Sequence, residues 1–212
     1  MSPGITFGSI TTPFTVESWF YANANPIASR IVLLGSGGTG EEGSGPWLNN
    51  GLSILTLDNT QWKVDSSGVA QQPYIFPALL QNVWYYIAIT RDTSGYVQMW
   101  LGTTPGGTAT ASSTGRQLLT APDWDLTTPT YVVGTWPNTS TYNNNTFINN
   151  LRVTNTNLFS TNASTIPIPT ANLTNVTGTQ LLINDGDFVD QSGTQTLTQV
   201  CNMSSSMSNP FS

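Results

Sequence analysis

From Trp84 to Gly102 the chain reads WYYIAITRDTSGYVQMWLG, two runs rich in aromatic and β-branched residues around the polar stretch Arg91–Gly95. In the first run Tyr85, Ile87 and Ile89 share one parity, while Trp84, Tyr86, Ala88 and Thr90 share the other. Strand side chains alternate between faces, so this pattern predicts a pleated ribbon and not a helix. Asp92, Ser94 and Gly95 are turn residues, and glycine takes positive φ most easily, so the two runs should fold back as a hairpin.

The same reading predicts strands along most of the chain, each bounded by turn residues. They fall at Ile5–Phe7, Phe14–Tyr21, Arg30–Leu34, Leu52–Leu57, Gln61–Val64, 83–91, 96–102, Gln117–Leu119, Tyr131–Gly134, Thr146–Thr154, Leu181–Asn184 and Thr194–Cys201. Gly35–Gly45 and 103–115 read as loops, and Pro77–Asn82 as a single helical turn. Residues 160–179 read as an irregular crossing segment in which Pro167 and Pro169 confine any pairing to a sheet edge. The expected architecture is all-β, an antiparallel two-sheet β-sandwich of jelly-roll type. One domain spans 1–212, with a short N-terminal arm at 1–12.

Composition narrows the partners. Charged residues make up 8% of the chain, against about 25% in an average soluble domain. With 38% hydrophobic residues the chain can still build a core, so solubility falls to Ser, Thr, Asn and Gln. The net charge is −6, and the five cations, Arg30, Lys63, Arg91, Arg116 and Arg152, are scattered. Nucleic acid and anionic membrane surfaces are therefore not expected as partners. No apolar run approaches the roughly 20 residues that span a bilayer. The start, MSPGITFGSITTPF, shows no basic and apolar leader, so synthesis in a host cytoplasm without a signal peptide is the expectation. Cys201 is alone and reads as a buried strand residue. The six Asn-x-Ser/Thr sequons are close to the number that composition alone would give, about five.

Several segments, in order, resemble a known family. PFTVESWFYA is similar to the "F-T-x-E-x-W-x-Y" strand of laminin-G-like, concanavalin A-like lectin-glucanase jelly rolls. WYYIAITRDTSGYVQMWLG resembles their central hairpin, and TFINNLRVTN their "Y-I-D-x-L-R-I-T" strand. TGTQLLI with the later FVDQSGTQTLTQV and SNPF resembles C-terminal segments of phage and large-DNA-virus structural proteins. The match covers about residues 5–211. Asn149 replaces the aspartate of the third motif, and Tyr86 stands where histidine often follows "W-Y", which weakens the calcium role some relatives have.

Three chemistries bear on these residues. Glycoside hydrolysis needs two carboxylates at a fixed separation. The chain has no E-x-D-x-E strand like that of the glucanases, and Asp123-Trp124-Asp125 reads as a turn. With no histidine, Ser-His and Cys-His nucleophiles are excluded, so no enzyme is expected and no catalytic residue is assigned. Calcium would find hard oxygen donors at Asp185, Asp187 and Asp190, though Asn, Asp and Gly are also ordinary turn residues. No other cofactor is implied. Carbohydrate is bound by stacking flat sugar faces on aromatic rings while amides bond the hydroxyls. Trp19, Trp84 and Trp100 fall inside strands and read as core or sheet-face residues. The loop residues Trp47, Trp124, Trp136, Asn138, Tyr142 and Asn144 are the candidate sugar site.

Two functions follow as expectations. One is a non-enzymatic virion structural protein, a lectin-like domain decorating the surface of a capsid or tail, with other virion proteins or further copies of itself as partners. The alternative is an adhesin, a tail-fibre or receptor-binding protein that recognises host glycans.

Overall fold

A computed structural model describes residues 12–22, 32–36, 52–56, 59–66, 73–118, 131–133, 146–184, 189–197 and 209–211. These residues form thirteen strands and no helix: β1 (Phe14–Ala22), β2 (Val32–Ser36), β3 (Leu52–Thr56), β4 (Gln61–Ser66), β5 (Tyr74–Ile75), β6 (Val83–Arg91), β7 (Tyr96–Gly102), β8 (Thr108–Ala111), β9 (Gln117–Leu118), β10 (Tyr131–Val133), β11 (Thr146–Thr154), β12 (Thr165–Pro167) and β13 (Thr179–Ile183). They make two antiparallel sheets, the architecture the alternation predicts. The larger runs β12-β8-β7-β6-β1-β11-β13, with β9 also paired to β7, and the smaller runs β10-β2-β3-β4-β5.

The β6–β7 hairpin closes as its residues dictate. Asp92 Oδ1 accepts the N–H groups of Ser94 (2.8 Å) and Tyr96 (3.0 Å), and Gly95 takes φ 87°. Tyr85, Ile87 and Ile89 then face inward beside Phe14, Val16 and Phe20 of β1 and Leu151 and Val153 of β11. The smaller sheet answers with Leu33, Ile54, Trp62 and Val64. Phe20 spans the interface, 5.2 Å from Trp62 between ring centres, and stacks on Tyr85 at 5.4 Å. Tyr74 on β5 donates its hydroxyl to Val97 O at 3.0 Å, tying the small sheet's edge to β7, and burial pushes that phenol well above its ordinary pKa.

Four expectations change. Pro77–Asn82 forms no helix, because its N–H groups bond outward: Leu79 to Asn59 O, Leu80 to the Tyr85 hydroxyl and Asn82 to Ala22 O, each at 2.7 Å. The 103–115 loop contains β8, and the crossing segment 160–179 contains β12, which pairs with β8. Pro167 sits on that outermost strand, where its missing N–H costs no ladder bond. Thr194–Leu197 is irregular, held by a turn around Asp190, while 198–201 with Cys201, the N-terminal strand Ile5–Phe7 and the glycine-rich 37–45 lie outside the described residues. No helix among the described residues is long and apolar enough to cross a membrane.

Candidate functional site

The large sheet's outer face is built in rows across β6, β1 and β11, because those three strands lie side by side. The first row is Thr90–Thr15–Thr154, the second Ala88–Glu17–Arg152, the third Tyr86–Trp19–Asn149 and the fourth Trp84–Tyr21–Phe147. One extra residue in β11 makes this alignment possible. Glu17 and Trp19 of β1 oppose Arg152 and Asn149, so the register slips between them. Such a bulge re-aims the side chains beyond it. Asn150 sits in the slip with φ 53°, its Oδ1 accepting Leu173 N–H at 2.9 Å and its Nδ2 donating to Asn149 Oδ1 at 2.9 Å.

Each row meets a different cover. Thr15 Oγ1 shares a 3.0 Å bond with Thr90 Oγ1, donates to Thr156 O at 2.9 Å and accepts Leu158 N–H at 2.9 Å. Glu17 is buried, with Tyr86 donating its hydroxyl to Oε1 at 2.5 Å. Arg152 donates Nε (2.9 Å) and Nη2 to Glu17 Oε2, and Nη1 to Thr174 O at 2.8 Å. Burial and then the neighbouring carboxylate push the Tyr86 phenol well above its ordinary pKa. The third row is capped by Phe211, whose ring meets Trp19 edge-on at 5.7 Å. Beside it Trp100 donates Nε1–H to Ala163 O at 2.9 Å and meets Phe159 at 6.1 Å.

The fourth row is left half-open. Tyr21 and Trp84 are partly buried, and Phe147 is 37% exposed. Tyr21 lies 5.4 Å from Trp84 and 5.8 Å from Phe147, with tilts of 56° and 42° between ring planes. Three rings held on three paired strands form a twisted apolar step whose positions the sheet itself fixes.

Two further carboxylates among the described residues, Asp92 and Asp190, have structural partners. Asp92 Oδ2 accepts the Thr161 hydroxyl at 2.5 Å, while its Oδ1 serves the hairpin turn. Asp190 Oδ1 accepts Leu182 N–H (2.8 Å) and Ser192 N–H (2.9 Å), and Oδ2 accepts Ser192 Oγ–H (2.7 Å), Thr194 N–H (3.0 Å) and Gln195 N–H (2.8 Å). Burial alone would raise the Asp190 pKa, but the Ser192 hydroxyl and these backbone N–H groups outweigh it and hold the pKa below the ordinary value. Its lone pairs are occupied, and among the described residues no three His, Cys, Asp or Glu side chains come together as a metal ion would require.

The expected sugar residues Trp47, Trp124, Trp136, Asn138, Tyr142 and Asn144 lie outside the described residues, as do Asp185 and Asp187. Of the strand tryptophans, Trp19 and Trp100 are fully buried, as expected, and Trp84 joins the open row. Tyr21 and Phe147 escaped the sequence reading. Phe147 and Arg152 are five residues apart, which places them on opposite faces of an unbroken strand. Asn150 was the available signal, since asparagine tolerates positive φ.

No family model matches the chain, and no curated protein is significantly similar to it. Solved structures are similar in fold. A provisionally assigned carbohydrate-binding protein from Bacteroides ovatus superposes with a TM-score of 0.54 at 14% identity, over 98% of this chain and 59% of that one. Domains LG4-5 of the mouse laminin alpha1 chain give 0.46 at 12% identity, over 80% of this chain and 42% of theirs. A Trypanosoma rangeli sialidase in complex with 2,3-difluorosialic acid gives 0.48 at 16%, over 71% of this chain and 22% of the sialidase. The chain thus spans between about a fifth and three fifths of these proteins. The Bacteroides structure establishes a shared β-sandwich fold.

Proposed function

We propose that this chain is a non-enzymatic, lectin-like module that binds an uncharged glycan on the Trp84–Tyr21–Phe147 row. One observation carries the reading: the outer face is covered along three rows and left half-open at the fourth, where three aromatic rings stand on adjacent strands. Sugar rings expose flat C–H faces that stack on such surfaces. The rings step by 5.4 and 5.8 Å between centres, somewhat more than the strand spacing of about 4.8 Å, and so present one continuous apolar row. The fold shared with the Bacteroides ovatus protein, assigned provisionally to carbohydrate binding, supports it. The non-enzymatic reading is supported by Glu17, Asp92 and Asp190, each engaged in the hydrogen bonds that hold the fold.

The test is a glycan array followed by calorimetry on neutral oligosaccharides. Trp84→Ala should weaken binding by about 1.5 kcal/mol, the cost of uncovering half a large side chain, or about tenfold. Unchanged affinity in Trp84→Ala and Phe147→Ala, or no binding of any sugar at millimolar concentration, refutes it.

As its setting we propose the surface of a virus particle, where the module decorates a capsid or tail. The resemblance of the β13 segment and the C-terminal residues to viral structural proteins supports this, as does the charge-poor composition. The purified chain should then co-sediment with particles lacking it, and a chain that stays in the supernatant argues for an adhesin acting elsewhere.

A further inference from the structure

The two sheets differ in width, and the difference leaves a second concave surface. The small sheet ends at β5, whereas the large sheet continues through β7, β8 and β12. A groove of about 660 Å³ lies between residues 75–80 and the strands β7 and β8. That volume is typical of small-molecule sites, about 300–1,000 Å³. Its lining includes Ile75, Phe76, Leu80, Tyr85 and Leu101, and among the described residues no charged side chain. Ile75 and Leu80 are 44% and 65% exposed, unusual for large aliphatic residues on a polar chain.

One polar group sets this groove apart from a ragged sandwich end. Tyr85 is 6% exposed, and its hydroxyl oxygen accepts Leu80 N–H at 2.7 Å on the groove wall. A phenol also donates, and no acceptor for that proton lies among the described residues. Ser113, also on the lining, already donates to Ile75 O at 3.2 Å. The groove therefore offers largely apolar walls and, at Tyr85, a buried phenol held in place by Leu80 N–H, with the exposed hydroxyls of Thr103 and Thr110 farther along the lining.

We infer that this groove binds a neutral, mainly apolar small molecule carrying one carbonyl-type oxygen, which accepts the Tyr85 hydroxyl proton. The uncharged lining disfavours an ionic headgroup, because a charge would lose its hydration with no counter-ion to replace it. The assignment is independent of the aromatic row, which lies on the other face of the large sheet.

The probes are acetophenone and ethylbenzene, nearly equal in shape and different in the oxygen, titrated into the whole chain with Ile and Leu methyl groups labelled for NMR. Acetophenone should shift the Ile75, Leu80 and Leu101 methyls saturably and bind about fivefold tighter than ethylbenzene, the ratio one hydrogen bond gives. Tyr85→Phe should abolish that preference while ethylbenzene still binds. Thr110→Phe, which fills the groove from β8, should remove both. Absence of saturable shifts at millimolar acetophenone, equal affinity for the two probes, or binding that survives Thr110→Phe overturns the assignment. Should Tyr85→Phe fail to fold, the wild-type preference and Thr110→Phe decide the matter.

Discussion

Replacing Arg152 with methionine tests the logic of the outer face most directly. The substitution keeps the aliphatic stem and removes three donors, two to Glu17 Oε2 and one to Thr174 O. Glu17 stays buried beside Tyr86, which supplies one hydrogen bond and no positive charge. An uncompensated buried charge costs about 3–5 kcal/mol. For a chain of this size each kcal/mol lowers Tm by about 2–4 °C, so Arg152→Met should melt about 6–20 °C lower. Adding Glu17→Gln removes the stranded charge and leaves Tyr86 an amide oxygen to donate to. The double variant should therefore recover at least half of the loss, although it carries one more mutation. The assay is reversible thermal or urea unfolding followed by tryptophan fluorescence. A loss below about 1 kcal/mol in Arg152→Met would show that water reaches Glu17. Additive losses in the double variant would refute the claim that stranded charge dominates.

Asp190→Asn removes a carboxylate that accepts several N–H bonds and should cost about 2 kcal/mol at neutral pH. The folded-state pKa lies below the ordinary 3.8. The stabilisation is therefore full above that value and lost as pH falls through the folded pKa, so the wild-type advantage in urea midpoints should be flat above pH 5 and shrink below about pH 4. Asn150→Ala should cost about 2–4 kcal/mol by leaving the buried Leu173 N–H unpaired and straining a positive φ. Asn150→Gly, measured in the same denaturant series, should recover the backbone part. Dialysis against chelator should leave Tm unchanged, and a drop of several degrees would point to calcium at the turn that includes Asp190.

The strands that carry chemistry were readable because their alternation is strong. The hairpin appeared at 83–91 and 96–102 because Asp92 and Gly95 specify its turn. The wide fourth row was hidden for a local reason, since Asn150 inserts one residue and reverses parity between Phe147 and Arg152. No count of alternating positions reveals such a slip without the opposing strand. The short β8 was hidden among Thr and Gly that also make loops, and its pairing with β12 spans more than fifty residues. Pro77–Asn82 has helical residues in sequence, but its donors are claimed by distant acceptors such as Asn59 O and Ala22 O. Tyr85 shares the parity of Ile87 and Ile89, and all three are core. The Tyr85 hydroxyl donor became visible only once Leu80 was placed on the same groove.

Beyond β13, Asp190 has a geometric consequence. Its Oδ1 takes the outward N–H of Leu182, Gln191 N–H bonds Leu182 O at 2.7 Å, and Thr194 Oγ1 donates to Gln180 O. An open border of this kind would otherwise recruit a foreign strand. With Leu182 N–H, Leu182 O and Gln180 O already engaged, copies crowded together at high density are denied a regular zipper along this flank. A lattice that joins copies at this flank grows there through side-chain contact, which can be undone, in place of ladder fusion, which cannot easily be reversed.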